Sequence, residues 1–294
     1  MLSAIGARRP VEEREQHGFV YYGRFFRIID DDIPSMWRVV HMDGMSMLVI
    51  PADRRTFSVT FTCASNDREL RALRDEQAWE RVLALMPDFT EVRSASEPIT
   101  PVQVMPGGED RHLALVHDGM PIVTGVVAVG DAATRTNPAL GRGASIGLAH
   151  ACVLRDVLRE GGAERSERLA LRFAEACEAE VMPFYRRTLS EDRSRMAEIQ
   201  ADIAGMPHPP ADPDWSVKRA LLALSAKDAR VLRANTRNIG HILDHGAVFE
   251  EPGVRAAFDQ LAPTLSQYPD TTPTRAQVLA AIGAVEQSVA DVPG

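Results

Sequence analysis

The sequence predicts an α+β fold, and three stretches carry that prediction. Between residues 18 and 64, β-branched and aromatic runs are broken by turn residues, the pattern of an antiparallel sheet with one buried face. Between 126 and 158, an apolar run ends on Gly-Asp, a Pro/Gly loop follows, and the pattern turns helical. Beyond residue 161, apolar residues recur at helical spacing among many charges.

Each element has a local cause. Residues 11–16 are charged. The run 18–29 reads as one long strand, stopped by Asp30-Asp31-Asp32 and Pro34. Residues 45–50 and 56–64 make two more strands, joined by Pro51-Ala52-Asp53-Arg54-Arg55. Over 67–85 the apolar positions Leu70, Leu73, Ala78, Trp79, Val82, Leu83 and Leu85 fit one or two amphipathic helices ending near Pro87. Residues 98–105, 113–116 and 122–129 read as strands, with Asp118-Gly119 as a turn between the last two. Long helices over 164–203 bend near Pro183, and 206–213 is a proline-rich linker. Further helices cover 215–243, 254–261 and 274–289.

Composition narrows the function. The chain has 294 residues, about two domains' worth, with 45% apolar residues and a net charge of −8. That charge argues against broad attraction to nucleic acid or anionic membrane. No apolar run reaches the roughly 18 residues of a membrane span, and no signal peptide opens the sequence. Cys63, Cys152 and Cys177 lack metal or redox spacing and are expected to be reduced core thiols of a cytoplasmic protein. His241 and His245 are four apart but have no general-base glutamate beside them, so no metal site is expected.

The residues with chemistry to offer lie in 130–145. Glycines there let a ligand approach the backbone, the amides opening the following helix favour electron-rich groups, and Asp131 is a carboxylate suited to polyol hydroxyls. The same pattern also describes an ordinary strand–turn–helix corner capped by Asp131.

The full string is more specific. Gly130-Asp131-Ala132-Ala133, with Pro138, Gly141 and Gly143 at eight, eleven and thirteen residues after Gly130, closely resembles the second flavin fingerprint of FAD-dependent aromatic hydroxylases and their relatives, among them flavin-dependent halogenases and geranylgeranyl reductase-like proteins. The resemblance implies that Asp131 holds the ribityl chain of FAD, while Gly130, Ala132, Pro138, Gly141 and Arg142 line the flavin. Gly143, Ala144 and Ser145 would offer amides to the reduced ring. Ser145 stands where many members carry Asn, and Thr134 where many carry His.

The resemblance covers roughly residues 1–161. Residues 1–10 resemble the segment after the superfamily's first nucleotide-binding section, and no Gly-x-Gly-x-x-Gly occurs, so the chain reads as truncated, without its dinucleotide-binding half. The expected architecture is a substrate-side antiparallel sheet region over 1–125, a flavin-contacting strand–loop–helix from the last part of a FAD-binding α/β domain over 126–161, and a helical domain over 162–294.

In such a protein the sheet walls the substrate pocket, which makes Tyr21, Phe25, Trp37, His41 and Phe61 candidates for substrate contact, each also readable as core. Arg24 and Arg27 either anchor an acidic substrate or are solvated strand-edge residues. His117 is an acid/base candidate or a solvated loop residue, and no catalytic residue is assigned. Two functional expectations follow. One is a monooxygenase acting on an apolar or aromatic small molecule, with FAD as cofactor and NAD(P)H as electron donor; halogenation and double-bond reduction stay open beside hydroxylation. The other is a non-catalytic remnant or small-ligand-binding subunit. A partner chain supplying the missing half and a homodimer are the expected associations.

Overall fold

In the computed structural model the described residues are 2–29, 38–86, 89–161, 166–210, 212–225, 227–239 and 248–290. In chain order the strands are β1 (Val11–Gln16), β2 (Phe19–Ile28), β3 (Arg38–Met42), β4 (Met45–Pro51), β5 (Thr56–Ala64), β6 (Ser96–Pro98), β7 (Gln103–Met105), β8 (Glu109–Ala114), β9 (Val116–His117), β10 (Met120–Pro121) and β11 (Thr134–Arg135). The helices are α1 (Glu76–Ala84), α2 (Thr90–Ser94), α3 (Gly143–Gly161), α4 (Ser166–Glu180), α5 (Met182–Ala204), α6 (Pro213–Ser225), α7 (Ala229–Ile239), α8 (Val254–Leu261) and α9 (Arg275–Ala290). The fold is α+β, and every described strand pairing is antiparallel.

The chain divides into two compact units assembled from interleaved segments. One comprises Met1–His17, Gly108–Arg193 and Asp228–Arg255, and the other Gly18–Gly107, Ser194–Lys227 and Ala256–Gly294.

The second unit is built on the sheet β3-β4-β5-β2-β6, with β7 also pairing β2. Alternation along its strands sends Tyr22, Phe26, Phe57, Val59, Phe61, Met45, Met47 and Val49 to one face, where Leu70, Leu73, Trp79, Val82, Leu83, Val278 and Ile282 pack against them. Trp79 is the centre of this core. It is fully buried, lies 5.9 Å from the ring of Phe26 and 5.3 Å from that of Phe61, and donates its indole N–H to the Tyr22 carbonyl (3.0 Å). Asp75 starts α1 by accepting the Ala78 amide, a side-chain cap that satisfies an otherwise orphan N–H.

A polar network anchors α5 in this unit. Arg195 donates to Ser46 Oγ, Glu198, Tyr268 Oη and the carbonyls of Met42 and Met45, while Glu198 also accepts from Trp215 Nε1 and Arg219. Asp202 accepts the Gly44 amide and the Tyr268 hydroxyl and lies 2.7 Å from His208 Nε2. Burial pushes the Tyr268 phenol up.

The first unit contains the three-stranded sheet β1-β8-β11 and the hairpin β9–β10, whose turn residues Asp118 and Gly119 both have positive φ. Ile146, Val153 and Val157 of α3 form its apolar core with Phe173 of α4 and Val181. The α4–α5 boundary is a single interruption at Val181, two residues before Pro183.

Three sequence expectations change. Residues 122–129, expected as a strand, enter no ladder among the described residues, although Val129 is extended. The charged residues 11–16 form a strand on β8, and their charges find partners: Arg14 pairs Glu12 and Glu109, and Arg193 pairs Glu15. The strand expected over 98–105 is two short strands on β2. The helix expected over 215–243 is interrupted ahead of Ala229, where Asp228 accepts the Arg230 amide. Residues 30–37, Pro87, His241 and His245 lie outside the described residues. No helix among the described residues is long and apolar enough to cross a membrane.

Replacing Trp79 with Ala removes the ring that fills this core and is expected to destabilise the protein by about 3–5 kcal/mol. Denaturant unfolding followed by far-UV circular dichroism checks this, with the midpoint falling accordingly.

Candidate functional site

The stretch from Gly130 to Ser145 belongs to the first unit. Val129 arrives extended (φ −135°, ψ 155°), and Gly130–Ala132 make one 3-10 turn in which the Ala133 amide donates to the Gly130 carbonyl (2.9 Å). Gly130 has a φ of +58°, which favours glycine, and a Cβ on Gly147 would stand 3.4 Å from the Gly130 Cα, so α3 crosses the turn backbone on backbone.

That close crossing sets Asp131 at the start of α3. The side chain is exposed, and its Oδ1 lies 3.9 Å from where a Cβ on Gly143 would stand. No side chain among the described residues pairs with the carboxylate, while the Asp131 carbonyl accepts from Arg111 Nη2 (3.0 Å). The first turn of α3 carries no acidic residue of its own to offset the positive end of the helix.

The middle of the loop is held from inside. Asn137 is buried: its amide donates to Asp110 Oδ1 (2.7 Å), its Nδ2 donates to Asp192 Oδ1 (2.7 Å), and its Oδ1 accepts from the Ala139 amide (3.0 Å). Pro138–Leu140 form a second 3-10 turn, closed by Gly141 at φ +66°, where a side chain would meet no atom within 4 Å. Arg142 turns inward, with only 6% of its surface exposed. Its Nη1 donates to Thr188 Oγ1 (3.1 Å) and its Nη2 reaches the Glu191 carboxylate (2.9 Å). The loop therefore presents Asp131, Pro138 and Gly141 outward and anchors itself through Asn137 and Arg142.

Asp110 is the sequence-invisible member of this arrangement. Burial pushes its carboxyl up to about 6, against the Asn137 amide, which favours the ionised form. Glu15 adds to the rise, and Arg135 and Arg193 oppose it. Its Oδ2 is buried with no hydrogen-bond partner among the described residues. Only the alternation of β8 places Asp110 on the side of the sheet that carries Glu13, Glu15 and His112. His112 and His150, also largely buried, are both lowered by that burial.

The expected substrate contacts belong to the second unit. Tyr21 and Phe25 share one face of the sheet with Gly23, and Phe25 remains 39% exposed. Phe61 lies on the opposite face, in the core against Trp79. Trp37 lies outside the described residues. His41 Nδ1 is 2.9 Å from Ser46 Oγ, and burial, followed by the charge of Arg195, holds its pKa well below the usual histidine range. Arg24 is occupied by Glu76, Glu80 and the Thr100 carbonyl, whereas Arg27 is exposed. His117 is exposed beside Asp118. Cys63 is buried in the core, where burial raises its thiol; Cys152 and Cys177 are half-buried, and all three are free.

No family model and no curated protein matches the sequence. Among solved structures, the chain is similar to the flavin-dependent brominase Bmp2 at 14% identity and a TM-score of 0.43, over 95% of this chain and 58% of that one. It is similar to Klebsiella pneumoniae HpxO complexed with FAD and uric acid at 16% identity and a TM-score of 0.41, over 86% and 54%. It is also similar to PqsL, a probable FAD-dependent monooxygenase from Pseudomonas aeruginosa, at 17% identity and a TM-score of 0.46, over 66% and 52%. The chain thus spans a little over half the length of each of these structures.

Two outcomes follow from the anchored loop. Arg142→Ala strips a buried carboxylate of its guanidinium and is expected to cost about 3–5 kcal/mol, much of it recovered in the double variant Arg142→Met/Glu191→Leu; chemical denaturation measures both. Asp110 titrates higher in the folded chain than its ordinary 3.8, so its contribution to stability is complete below about pH 4 and lost as pH rises through about 6. Asp110→Asn removes that loss, and the melting temperature of the variant should gain on the unaltered protein between pH 4 and 7.

Proposed function

We propose that the chain carries the ribityl- and ring-facing part of a flavin site, and that the complete protein is an FAD-dependent monooxygenase acting on an apolar or aromatic small molecule. The observation that carries the reading is the exposed Asp131 carboxylate near the start of α3, paired with no side chain among the described residues, within a string that resembles the flavin fingerprint. Two further features fit a bound flavin: open space where Gly141 lacks a side chain, and a helix start with no acidic residue of its own.

In this reading Asp131 accepts hydrogen bonds from ribityl hydroxyls, and the Gly143, Ala144 and Ser145 amides offset negative charge gathering on the ring. Gly130, Ala132, Pro138 and Gly141 supply the backbone surface against which the ring lies. Arg142 contributes through its backbone alone, because its guanidinium is committed to Glu191 and Thr188. FAD, when bound, supplies the redox chemistry, taking hydride from NAD(P)H and reacting with O₂. Phe25, which is 39% exposed, offers an aromatic surface suited to an apolar substrate.

The second reading is a small-ligand-binding subunit that works with a partner chain. What favours it is the lack of any Gly-x-Gly-x-x-Gly string in the 294 residues, which leaves the FAD diphosphate to be held by other means.

Titration with FAD, following flavin absorbance and fluorescence, separates the two. Saturable binding that weakens about 10- to 100-fold in Asp131→Ala is the expected result, the loss of one or two charged hydrogen bonds. Equal affinity in the variant would sink the flavin assignment, and no binding by the unaltered chain would favour the partner-dependent reading.

A further inference from the structure

Asp110 occupies a place that suits an ionised carboxylate poorly. It stands on the face of β8 that packs on α5 and is 1% exposed. Its Oδ1 accepts the Asn137 amide at 2.7 Å, while its Oδ2 is buried and meets no donor among the described residues. A carboxylate oxygen withdrawn from water with no donor of its own costs far more ionised than protonated.

The groups around Asp110 do not remove that cost. Glu15 of β1 stands directly opposite and opposes ionisation, with Glu13 and His112 one step further along the same face. Arg135 of β11 and Arg193 of α5 favour ionisation, but Arg193 is bound to Glu15 and Arg135 is exposed. From α5, Tyr185 feels the Asp110 charge, and Asp192 accepts the Asn137 side-chain amide at 2.7 Å. Asn137 is also where the loop hangs. Its Oδ1 accepts the Ala139 amide and starts the turn Pro138–Leu140, which the Gly141 amide closes on the Pro138 carbonyl (2.9 Å). Thr136, one residue earlier, has its hydroxyl buried with no partner among the described residues. Opening the loop would bring water to the Thr136 hydroxyl and to Asp110 Oδ2 together.

We propose that Asp110 is a proton-operated latch on the loop from Thr136 to Gly141. Protonated, it holds the Asn137 amide and keeps the loop docked; ionised, it favours an open loop in which water reaches both of its oxygens. Burial pushes the docked carboxyl up from its ordinary 3.8 to about 6. Docking is therefore fully favoured below about pH 4, and that advantage is lost as pH rises through about 6. The latch controls the segment that would face a flavin, a role that rests on the reading above; the latch itself does not.

Hydrogen exchange of the full chain, read at single amides by NMR, tests the latch. At pH 7.5 the Asn137, Ala139 and Gly141 amides should be at least tenfold less protected than those of Val153 and Val157, so that the loop opens while α3 stays closed. Between pH 4.5 and 7.5, after correction for the intrinsic rise in exchange, protection of the three loop amides should fall at least tenfold. Asp110→Asn should lose that fall. Glu15→Gln, which removes the negative charge facing Asp110, should keep the fall and move its midpoint to lower pH. FAD at ten times its dissociation constant should raise loop protection at pH 7.5 about tenfold.

Loop amides as well protected as those of α3 would mean that the loop opens only with the whole unit, and this overturns the latch. So does a fall in protection that persists in Asp110→Asn, which would place the titrating group elsewhere, with Asp192 the first to examine. Latch behaviour that FAD leaves unchanged keeps the latch and removes the flavin reading. Protection by FAD without any dependence on Asp110 does the reverse.

Discussion

A guanidinium and a carboxylate, both withdrawn from water, decide how the loop after Gly130 is held. Arg142 sits inside the first unit against Glu191 and Thr188, and five residues earlier Asn137 is pinned to Asp110 and Asp192. Pairs of this kind contribute little net stability, because desolvation offsets most of their attraction, but they are costly to break. The consequence is geometric. With its polar side chains drawn inward, the loop turns its backbone and glycines outward, and Asp131 is left to face solvent at the head of α3.

The same division of labour runs through both sheets. In the second unit one face carries the aromatic core around Trp79, and the opposite face bears Tyr21, buried, and Phe25, exposed. In the first unit the face bearing His112 and Glu15 packs on α5, and the opposite face carries Arg14, Arg111 and Arg135. Two-residue alternation makes this possible, since neighbouring residues on a strand serve different surroundings. It also explains why Phe26 is buried against Trp79 while its neighbour Phe25 is 39% exposed.

Much of the architecture was legible from local pattern. The strand over 56–64, the helix over 254–261, the break near Pro183 and the Asp118-Gly119 turn all follow from propensity and turn chemistry, which act over a few residues. The segment 126–129 has the composition of a buried strand, but a strand also needs a neighbour, and composition does not supply one. The charged sequence of β1 finds its place through its register with β8, which brings Glu109 opposite Gln16 and within reach of Arg14.

By itself the sequence determined the glycine, proline and aspartate positions of the loop, because those residues act through their own backbone freedom and chemistry. It equally determined the α+β class, through periodicities of two and 3.6. Only the tertiary structure decided that Arg142 is an internal anchor and that Asp110 holds Asn137. It alone aligned Arg14, Arg111 and Arg135 across three strands distant in sequence. Those roles depend on which groups meet after the chain has closed on itself, and on how far each is removed from water. Neither quantity is written in the spacing of residues along the chain.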